Sequence, residues 1–359
     1  MIRRKFYKIL IFFFIMATLF FIFSNKNSLG NASAETITRE TSEIVMEVNS
    51  KRVLHEKNCH DKKYMASTTK ILTAICVIEN IDINTQIKIP AEAVGIEGSS
   101  IYLKENETLT IKELLYGLML RSGNDCATAL AIAVSGSIDD FAILMNKKAG
   151  EIGAKNSSFT NPHGLHDDNH YITAYDLGLI SCYAMQNETF REIVGTKKIS
   201  ISNEFYDYDR VLINKNKMLF RNDNSTGIKT GYTKKAGRCL VSSRIKDGME
   251  VVCVVLSCPD MWEKSNTLLD SALDNYKMIK VLESDNILDF NDNPPTKTIA
   301  HAKNDVYLPL LKDEYNKVKY EIIYFDNIQN AINKDTPIGK INFYIENNLI
   351  FEEKIYTII

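Results

Sequence analysis

A serine and a lysine lie three residues apart at the start of an apolar segment of the chain. Ser67 and Lys70 open the stretch STTKILTAICVIEN, whose apolar residues leave almost no polar face on a helix. Residues at this spacing on a helix can touch, and a desolvated lysine can take the proton of a serine hydroxyl. The pair therefore fits nucleophilic catalysis, although a helix cap and a surface-reaching charge explain it better when it is taken alone.

Two more short segments carry polar groups that such a reaction needs. Ser122 and Asn124 lie in RSGND between two helical stretches, where a helix cap and turn would be the ordinary explanation. Lys229-Thr230-Gly231 begins a predicted strand, and a glycine there lets another backbone approach closely. The three segments, in this order and on these elements, form the signature of the penicilloyl-serine transferases.

The surrounding sequence resembles the low-molecular-mass penicillin-binding proteins that act as serine-type D-alanyl-D-alanine carboxypeptidases. The similarity rests on ASTTK, LMLRSGNDCATALA, FTNPHGLHDDNHYITAYDLG and GIKTGYTKKAGRCLVSS, and it runs from about residue 40 to about residue 280. It continues more loosely over the tail, where TPIG at 336–339 fits the family's C-terminal β domain. The resemblance implies a hydrolase that needs no cofactor, removes the terminal D-alanine from peptidoglycan pentapeptide stems, and is acylated by β-lactam antibiotics.

The resemblance also implies roles for the residues around the serine. Ser67 would be the acylated nucleophile and Lys70 its proton acceptor. Ser122 would relay a proton toward the departing D-alanine. Asn124 would hold the substrate's peptide carbonyl and help to fix Lys70.

The strand segment would bind the substrate. Lys229 would attract it electrostatically and polarise Ser122, and Thr230 would contact the terminal carboxylate. The backbone N–H groups of Ser67 and Tyr232 would form the oxyanion hole.

The sequence departs from the family pattern at one position. Some relatives have an arginine between the last long strand and the next helix, where it helps to bind the substrate carboxylate. Here that stretch reads CPDMWEKSN, and Lys264 is the candidate substitute.

The order of predicted elements is strand, helices, strands, helix. Residues 43–58 read as two short strands turned at Asn49-Ser50, and helical spacing covers residues 111–134 and 138–152. Three strand-like runs follow, the last two joined by Asp247-Gly248, and then a helical pattern extends over residues 262–281. The predicted fold is α+β, with helices on a mainly antiparallel sheet, as in penicillin-binding and β-lactamase-like transpeptidase domains.

Composition changes at about Leu282, and a small all-β domain is predicted beyond it. SDNILDFNDNPPTKTIA is rich in turn and linker residues, and short alternating runs such as VYLPLL, YEIIYF and KINFYI follow. The predicted domains are therefore residues 35–281, catalytic, and residues 282–359, all β. The chain ends in an alternating run, so we expect no C-terminal amphipathic membrane helix.

The first 34 residues read as an export segment. A basic head with Arg3, Arg4, Lys5 and Lys8 precedes an apolar run, and Ala32-Ser33-Ala34 offers a cleavage site. Cleavage as a signal peptide and retention as an N-terminal membrane anchor both stay open. In either case the protein is expected outside the cytoplasm, secreted or membrane-associated at the cell wall.

The remaining composition excludes several classes of partner. The formal net charge is −2 and no basic block interleaves with aromatics, so nucleic acid is not an expected partner. Seven cysteines without a Cys-x-x-Cys pair are read chiefly as small apolar residues, although their redox state stays open. His163, His166 and His170 match no common zinc spacing, so a loop and no metal are predicted.

Two rival functions share the motifs. A class A β-lactamase needs a glutamate for deacylation, usually in Glu-x-x-Leu-Asn, and no such run occurs between Asn124 and Lys229; these enzymes also lack the added β domain. A catalytically silent penicillin-binding wall module is the other rival, but every catalytic position holds the expected residue type. The vegetative or spore role, the third stem residue, transpeptidation and the oligomeric state are left open.

Overall fold

The computed structural model describes residues 37–202, 205–284, 300–325 and 336–357, and the predicted export segment lies outside them. The strands are β1 (Ser42–Glu47), β2 (Val53–Lys57), β3 (Gln86–Lys88), β4 (Thr108–Thr110), β5 (Lys198–Ile201), β6 (Arg210–Ile213), β7 (Ser225–Thr233), β8 (Gly237–Lys246), β9 (Met249–Leu256), β10 (Lys277–Leu282), β11 (Ala300–Ala302), β12 (Val306–Leu310), β13 (Val318–Tyr324), β14 (Gly339–Ile345) and β15 (Asn348–Thr357). The α-helices are α1 (Lys70–Asn80), α2 (Ile111–Tyr116), α3 (Asn124–Ser135), α4 (Ile138–Ile152), α5 (Ala174–Met185), α6 (Glu188–Gly195), α7 (Met218–Arg221) and α8 (Met261–Asn275).

A five-stranded antiparallel sheet, in the order β2-β1-β9-β8-β7, forms the centre of the catalytic part. The hairpin from β8 to β9 pairs Lys246 with Met249, so two residues form the turn. Asp247 and Gly248 both have positive φ, which is the geometry of a turn that matches strand twist. The predicted strand pairs and the α+β class are confirmed.

Both faces of this sheet are buried, which explains why its strands are almost continuously apolar. On one face Val252 and Val254 belong to a large core with α1 and α5. On the opposite face Val251 and Val255 pack with α8. Strand alternation thus sends successive residues of β9 into two different cores. We call the first the inner face and the second the outer face.

The predicted helix over residues 262–281 is too long. Helix α8 ends at Asn275, and residues 277–282 form β10, which pairs with β12. The apolar spacing runs on because Ile279 and Val281 are partly buried strand residues that contact the C-terminal core. Residues 277–282 form a strand because they pair with β12, and the local sequence pattern gives no sign of this pairing.

The C-terminal residues form the predicted β structure. Strands β11, β15, β14 and β13 make a four-stranded antiparallel sheet in that order, over a core that includes Ile341 and Phe343. Arg52 connects this part to the catalytic sheet, since its guanidinium donates to both carboxylate oxygens of Glu314 and to the carbonyl of Pro309.

Helices α2 and α3 are separated by a break that simple periodicity does not indicate. Residues Gly117–Arg121 form a π-helical turn, after which Ser122 adopts a left-handed conformation with φ of 66°. This break places the RSGND segment at the junction of α2 and α3, between two helical stretches as predicted.

Among the described residues no single helix is long and apolar enough to span a membrane. Helices α3 and α4 meet both criteria only when they are taken together, and they are bent by 83° relative to each other.

Candidate active site

Ser67 lies in a tight helical turn that leads directly into α1. The turn covers Ala66–Thr69, and Lys70 is the first residue of the helix. Ala66 has a φ of 48°, an uncommon left-handed value for a residue with a side chain. The hydroxyl of Thr69 donates to the Ala66 carbonyl at 2.8 Å, which helps to hold this conformation.

His170 reaches the same turn from a loop 101 residues away in sequence. Its Nε2 lies 2.8 Å from the hydroxyl oxygen of Thr69, and its Nδ1 accepts the backbone N–H of Thr160 at 3.0 Å. An acceptor at Nδ1 means that the ring is neutral and that Nε2 carries the proton given to Thr69. Burial agrees with this, since it lowers the pKa of His170 to about 4.

Lys70 is fully buried, and its amine has three close oxygen neighbours. Its Nζ lies 3.1 Å from the Ser67 hydroxyl oxygen, 2.7 Å from the Asn124 amide oxygen and 2.6 Å from the His163 carbonyl oxygen. Burial lowers the pKa of Lys70 well below the usual lysine value, and the charge of Lys229 lowers it further. The predicted desolvated lysine beside the serine is therefore present.

Asn124 is oriented by a second contact. Its amide nitrogen donates to the carbonyl of Glu97 at 2.6 Å, which points the amide oxygen toward Lys70. Its backbone N–H donates to the carbonyl of Ser99 at 2.7 Å. The remaining amide hydrogen is the group that a substrate carbonyl could use. Ser122 lies two residues before Asn124 and is almost completely buried.

Lys229 is also buried and lies close enough to Lys70 for their charges to interact. Burial lowers the pKa of Lys229 to about 7, and the charge of Lys215 contributes to the shift. Lys215, whose Nζ donates to the Ser99 hydroxyl at 3.0 Å, was not predicted from the sequence. The Asn-Lys-Asn run at 214–216 precedes Lys229 by fourteen residues but shows no periodicity that would mark it.

Two glycines let three segments meet at Ser67. A Cβ on Gly231 would lie 3.1 Å from the backbone nitrogen of Ser67, so the predicted close approach to this strand is present. A Cβ on Gly164 would lie 1.9 Å from the carbonyl oxygen of Ala66, which excludes any side chain there. Tyr232 follows Gly231 with its side chain 65% exposed, and its backbone continues along the edge strand.

The other two histidines of this loop have separate surroundings. His163 contributes its carbonyl to Lys70, and its Nδ1 accepts the backbone N–H of Leu165 at 3.2 Å. His166 lies 3.4 Å from the carboxylate of Asp168. The segment is a loop whose backbone forms one wall of the site.

Lys264 is not placed as the substitute for the missing arginine. Its Nζ lies 3.5 Å from the carboxylate of Glu43 on β1, and two strands separate β1 from β7. Neighbouring strands lie about 4.8 Å apart, so β1 and β7 are about 14 Å apart. The expectation that Lys264 binds the substrate carboxylate is therefore wrong on position.

Comparison with known proteins agrees with this arrangement. A family model described as D-alanyl-D-alanine carboxypeptidase matches residues 30–260, and one described as the C-terminal domain of penicillin-binding protein 5 matches residues 276–358. A serine hydroxyl beside a buried lysine, on helices packed over an antiparallel sheet, fits a serine hydrolase of the penicillin-binding class. The chain belongs to the D-alanyl-D-alanine carboxypeptidase family.

Individual relatives cover most of the chain. The D-alanyl-D-alanine carboxypeptidase DacF of Bacillus subtilis is 30% identical over 86% of this chain and 82% of its own length. The structure of penicillin-binding protein 5 from Haemophilus influenzae is 27% identical, with a TM-score of 0.72 over 88% of this chain and 95% of that one. A Streptomyces K15 DD-transpeptidase structure is 29% identical, with a TM-score of 0.60 over 66% of this chain and 97% of that one.

Proposed function

We propose that the chain removes the terminal D-alanine from peptidoglycan stems ending in D-Ala-D-Ala, through an acyl-enzyme on Ser67. The observation that carries this proposal is the environment of Lys70, whose buried amine is 3.1 Å from the Ser67 hydroxyl. Burial lowers the pKa of Lys70 well below the usual lysine value and so favours the neutral amine that a proton acceptor requires. The family membership supplies the substrate class.

In the proposed acylation step, Ser67 Oγ attacks the carbonyl carbon between the two D-alanines. Its proton passes to the lone pair of Lys70, and the backbone N–H groups of Ser67 and Tyr232 stabilise the oxyanion. As the peptide bond breaks, the proton on Lys70 passes through the hydroxyl of Ser122 to the leaving nitrogen of D-alanine, so that Lys70 is neutral again and Ser122 keeps one proton. Water then hydrolyses the ester, which returns Ser67 and releases the shortened stem.

The remaining groups bind and orient the stem. The free amide hydrogen of Asn124 donates to the substrate's peptide carbonyl, because its other hydrogen is already given to Glu97. Lys229 supplies positive charge beside Ser122, and the hydroxyl of Thr230 contacts the terminal carboxylate. Gly231 has no side chain and so allows β7 to lie against the turn Ala66–Thr69.

The decisive experiment compares wild-type protein with Ser67→Ala. We expect wild-type protein to release D-alanine from a pentapeptide and to gain the mass of penicillin on incubation, and the variant to do neither. Release of D-alanine by the variant at the wild-type rate would rule out the acyl-enzyme at Ser67. Rapid penicillin turnover without a long-lived acyl-enzyme would favour the β-lactamase alternative.

We also propose that the enzyme works outside the cytoplasm, with residues 1–34 as the export segment, 35–281 as the catalytic domain and 282–359 as the β domain. The basic and apolar residues at the start support export. Three separate hydrophobic clusters support the internal division, since one of them lies almost wholly beyond residue 282. Sequencing the N-terminus of the mature protein distinguishes a cleaved signal from a retained membrane anchor.

A further inference from the structure

Three side chains of the kinds that bind transition metals converge at the end of β2. The carboxylate of Glu56, the thiol of Cys59 and the imidazole of His60 each place one ligand atom within 4.8 Å of the other two. Elsewhere in the described part of the chain no three such groups come this close together. None of the three residues takes part in the proposed reaction at Ser67.

A tight turn brings these three residues together. Asn58 has a φ of 49°, a left-handed value that asparagine tolerates, and its carbonyl accepts the N–H of Asp61 at 3.2 Å. The same carbonyl accepts the hydroxyl of Ser42, in β1, at 2.7 Å. The carbonyl of Cys59 accepts the N–H of Tyr175, in α5, at 2.9 Å. The turn is therefore fixed both to a strand and to a helix, and its side chains are positioned by the fold itself.

Two of the three groups have few other partners. His60 is exposed, and its ring nitrogens form no hydrogen bond or ion pair with any described residue; the ring lies beside that of Tyr175, with centroids 5.0 Å apart. Glu56 is also exposed and forms no ion pair within the described ranges. Its Oε2 accepts from the Cys59 thiol at 3.4 Å. Both side chains can therefore turn toward an ion.

The thiol of Cys59 favours zinc over the alkaline-earth ions. Burial and the neighbouring Glu56 carboxylate raise the pKa of Cys59 to about 12, so without a metal the thiol keeps its proton. A coordinating zinc ion displaces that proton, which passes to solvent, and the sulfur binds as a thiolate. Ca²⁺ and Mg²⁺ are bound by oxygen ligands, so a set of sulfur, nitrogen and oxygen does not suit them.

The distances suit a tetrahedral zinc ion. Zinc lies about 2.3 Å from sulfur and about 2.0–2.2 Å from nitrogen and oxygen, so neighbouring ligand atoms of a tetrahedral site are about 3.3–3.6 Å apart. The Sγ of Cys59 and the Oε2 of Glu56 already have this separation, at 3.4 Å. The imidazole lies within 4.8 Å of both, and rotation of the exposed His60 side chain closes the remaining gap.

We propose that Glu56, Cys59 and His60 bind one Zn²⁺ ion, with water as the fourth ligand. The ion joins the end of β2 to the segment that leads to Ser67. It stabilises the folded chain, because the unfolded chain does not hold the three ligands together. This proposal does not depend on the proposed function, since zinc binding is measured without a substrate.

The test is a zinc titration of the purified full-length chain in competition with a chromogenic chelator. We expect one Zn²⁺ per chain with a dissociation constant below about 10 μM, weaker than a closed four-ligand site, and a higher unfolding temperature when zinc is saturating. Cys59→Ser and His60→Gln should each weaken binding by at least about 10-fold. Co²⁺ used as a probe should show the absorption of a thiolate-bound metal in the wild-type protein and not in Cys59→Ser.

Matched variants at other positions identify the site. His55→Gln removes a second histidine of this region, which lies 3.0 Å from Glu43, and Cys258→Ser removes another buried cysteine. Both should bind zinc as the wild-type protein does. The proposal is wrong if the wild-type protein binds no zinc at about 100 μM free Zn²⁺, or if His60→Gln binds as tightly as wild type.

Two measurements keep folding and function apart from zinc binding. Because His60 is exposed, His60→Gln tests the site independently of whether Cys59→Ser folds. Acylation by labelled penicillin should be the same in wild type and His60→Gln, since the histidine belongs to no step of the proposed reaction. Failure of the wild-type protein to be acylated would refute the proposed function and leave the zinc titration unaffected.

Discussion

The amine of Lys70 faces the hydroxyl of Ser67 at 3.1 Å while two carbonyl-type oxygens, from Asn124 and His163, lie on its other sides at 2.7 and 2.6 Å. A neutral amine has two hydrogens and one lone pair. The two carbonyl-type oxygens can only accept, so they take both hydrogens and the lone pair is directed at Ser67. The surroundings of Lys70 therefore direct its lone pair at Ser67 in the free protein, as its proposed role of proton acceptor requires.

This arrangement predicts a bell-shaped dependence of kcat/KM on pH. On the acid side, activity falls as pH drops through the lowered pKa of Lys70, because a protonated amine has no lone pair for Ser67. On the alkaline side, activity falls as pH rises above about 7, where Lys229 loses the charge that attracts substrate. Bound substrate carboxylate raises the pKa of Lys229, so the alkaline limb of kcat should lie at higher pH than that of kcat/KM.

Lys229→Arg separates the two limbs. An arginine stays charged, so the alkaline limb of the variant should move to higher pH or disappear while the acid limb remains. Stopped-flow acylation by a chromogenic cephalosporin, measured from about pH 5 to about pH 10, gives both profiles. A wild-type profile that stays flat across this range would contradict the assigned protonation states.

The buried lysines should also cost stability. The pKa of Lys229 is about 7 in the folded protein, against 10.5 for an unperturbed lysine, which is the value expected in the unfolded chain. Between these values the unfolded chain binds more protons, so the free energy of unfolding rises with pH over this window. Lys229→Met should therefore raise the free energy of unfolding at neutral pH by about 1–4 kcal/mol, the range seen when buried charges are replaced by apolar side chains.

Urea unfolding at pH 7 and pH 9 checks this prediction. The difference between the two pH values should be smaller in Lys229→Met than in the wild-type protein, because the variant lacks the group that titrates in that window. Lys264→Met, at a partly exposed position, serves as the control and should change stability little. Equal pH dependence in wild-type and Lys229→Met proteins would show that the lysine does not titrate as described.

The sequence predicted the parts of the site that depend on local spacing. Ser67 and Lys70 share a helix, and RSGND and KTG carry recognisable chemistry within a few residues. The parts that were missed join distant segments, such as His170 to Thr69 and Asn124 to Glu97. The predicted end of α8 was wrong for the same reason. The pairing of β10 with β12 joins distant segments, and the local apolar pattern does not indicate it.

Gly164 should tolerate no side chain. It has a φ of 81°, and a Cβ there would lie 1.9 Å from the carbonyl oxygen of Ala66, the residue before Ser67. Gly164→Ala should therefore lower the free energy of unfolding by more than about 2 kcal/mol and reduce acylation by penicillin at least 10-fold, since overpacking displaces the turn.

Gly136→Ala is the matched control for this change. Gly136 also has a φ of 81°, but a Cβ there would meet no atom within 4 Å, so the variant has only the backbone strain. Its loss of stability should be about 1 kcal/mol, and its acylation rate should equal that of the wild-type protein. Thermal unfolding and labelled-penicillin binding measure both quantities. Similar losses in the two variants would mean that Ala66 yields easily to a side chain.

We expect His170 to hold the turn Ala66–Thr69, which contains Ser67, in place through its hydrogen bond to Thr69. His170→Phe keeps an aromatic ring at this position but removes the proton donated to Thr69, whose hydroxyl supports the left-handed conformation of Ala66. The acylation rate constant should fall by about 10-fold to 100-fold, because small misplacements of a nucleophile cost this much, while the penicillin dissociation constant changes little. Presteady-state acylation separates the two constants.

A second variant in the same loop makes this test specific. His166→Phe changes a histidine that lies partly exposed beside Asp168 and has no contact with Thr69 among the described residues, so its acylation should match the wild-type rate. His170→Gln can still accept from Thr160 and donate to Thr69, and it should recover part of the lost rate. If His170→Phe acylates as fast as His166→Phe, the hydrogen bonds from His170 do not position Ser67, and the turn is held by its own backbone contacts.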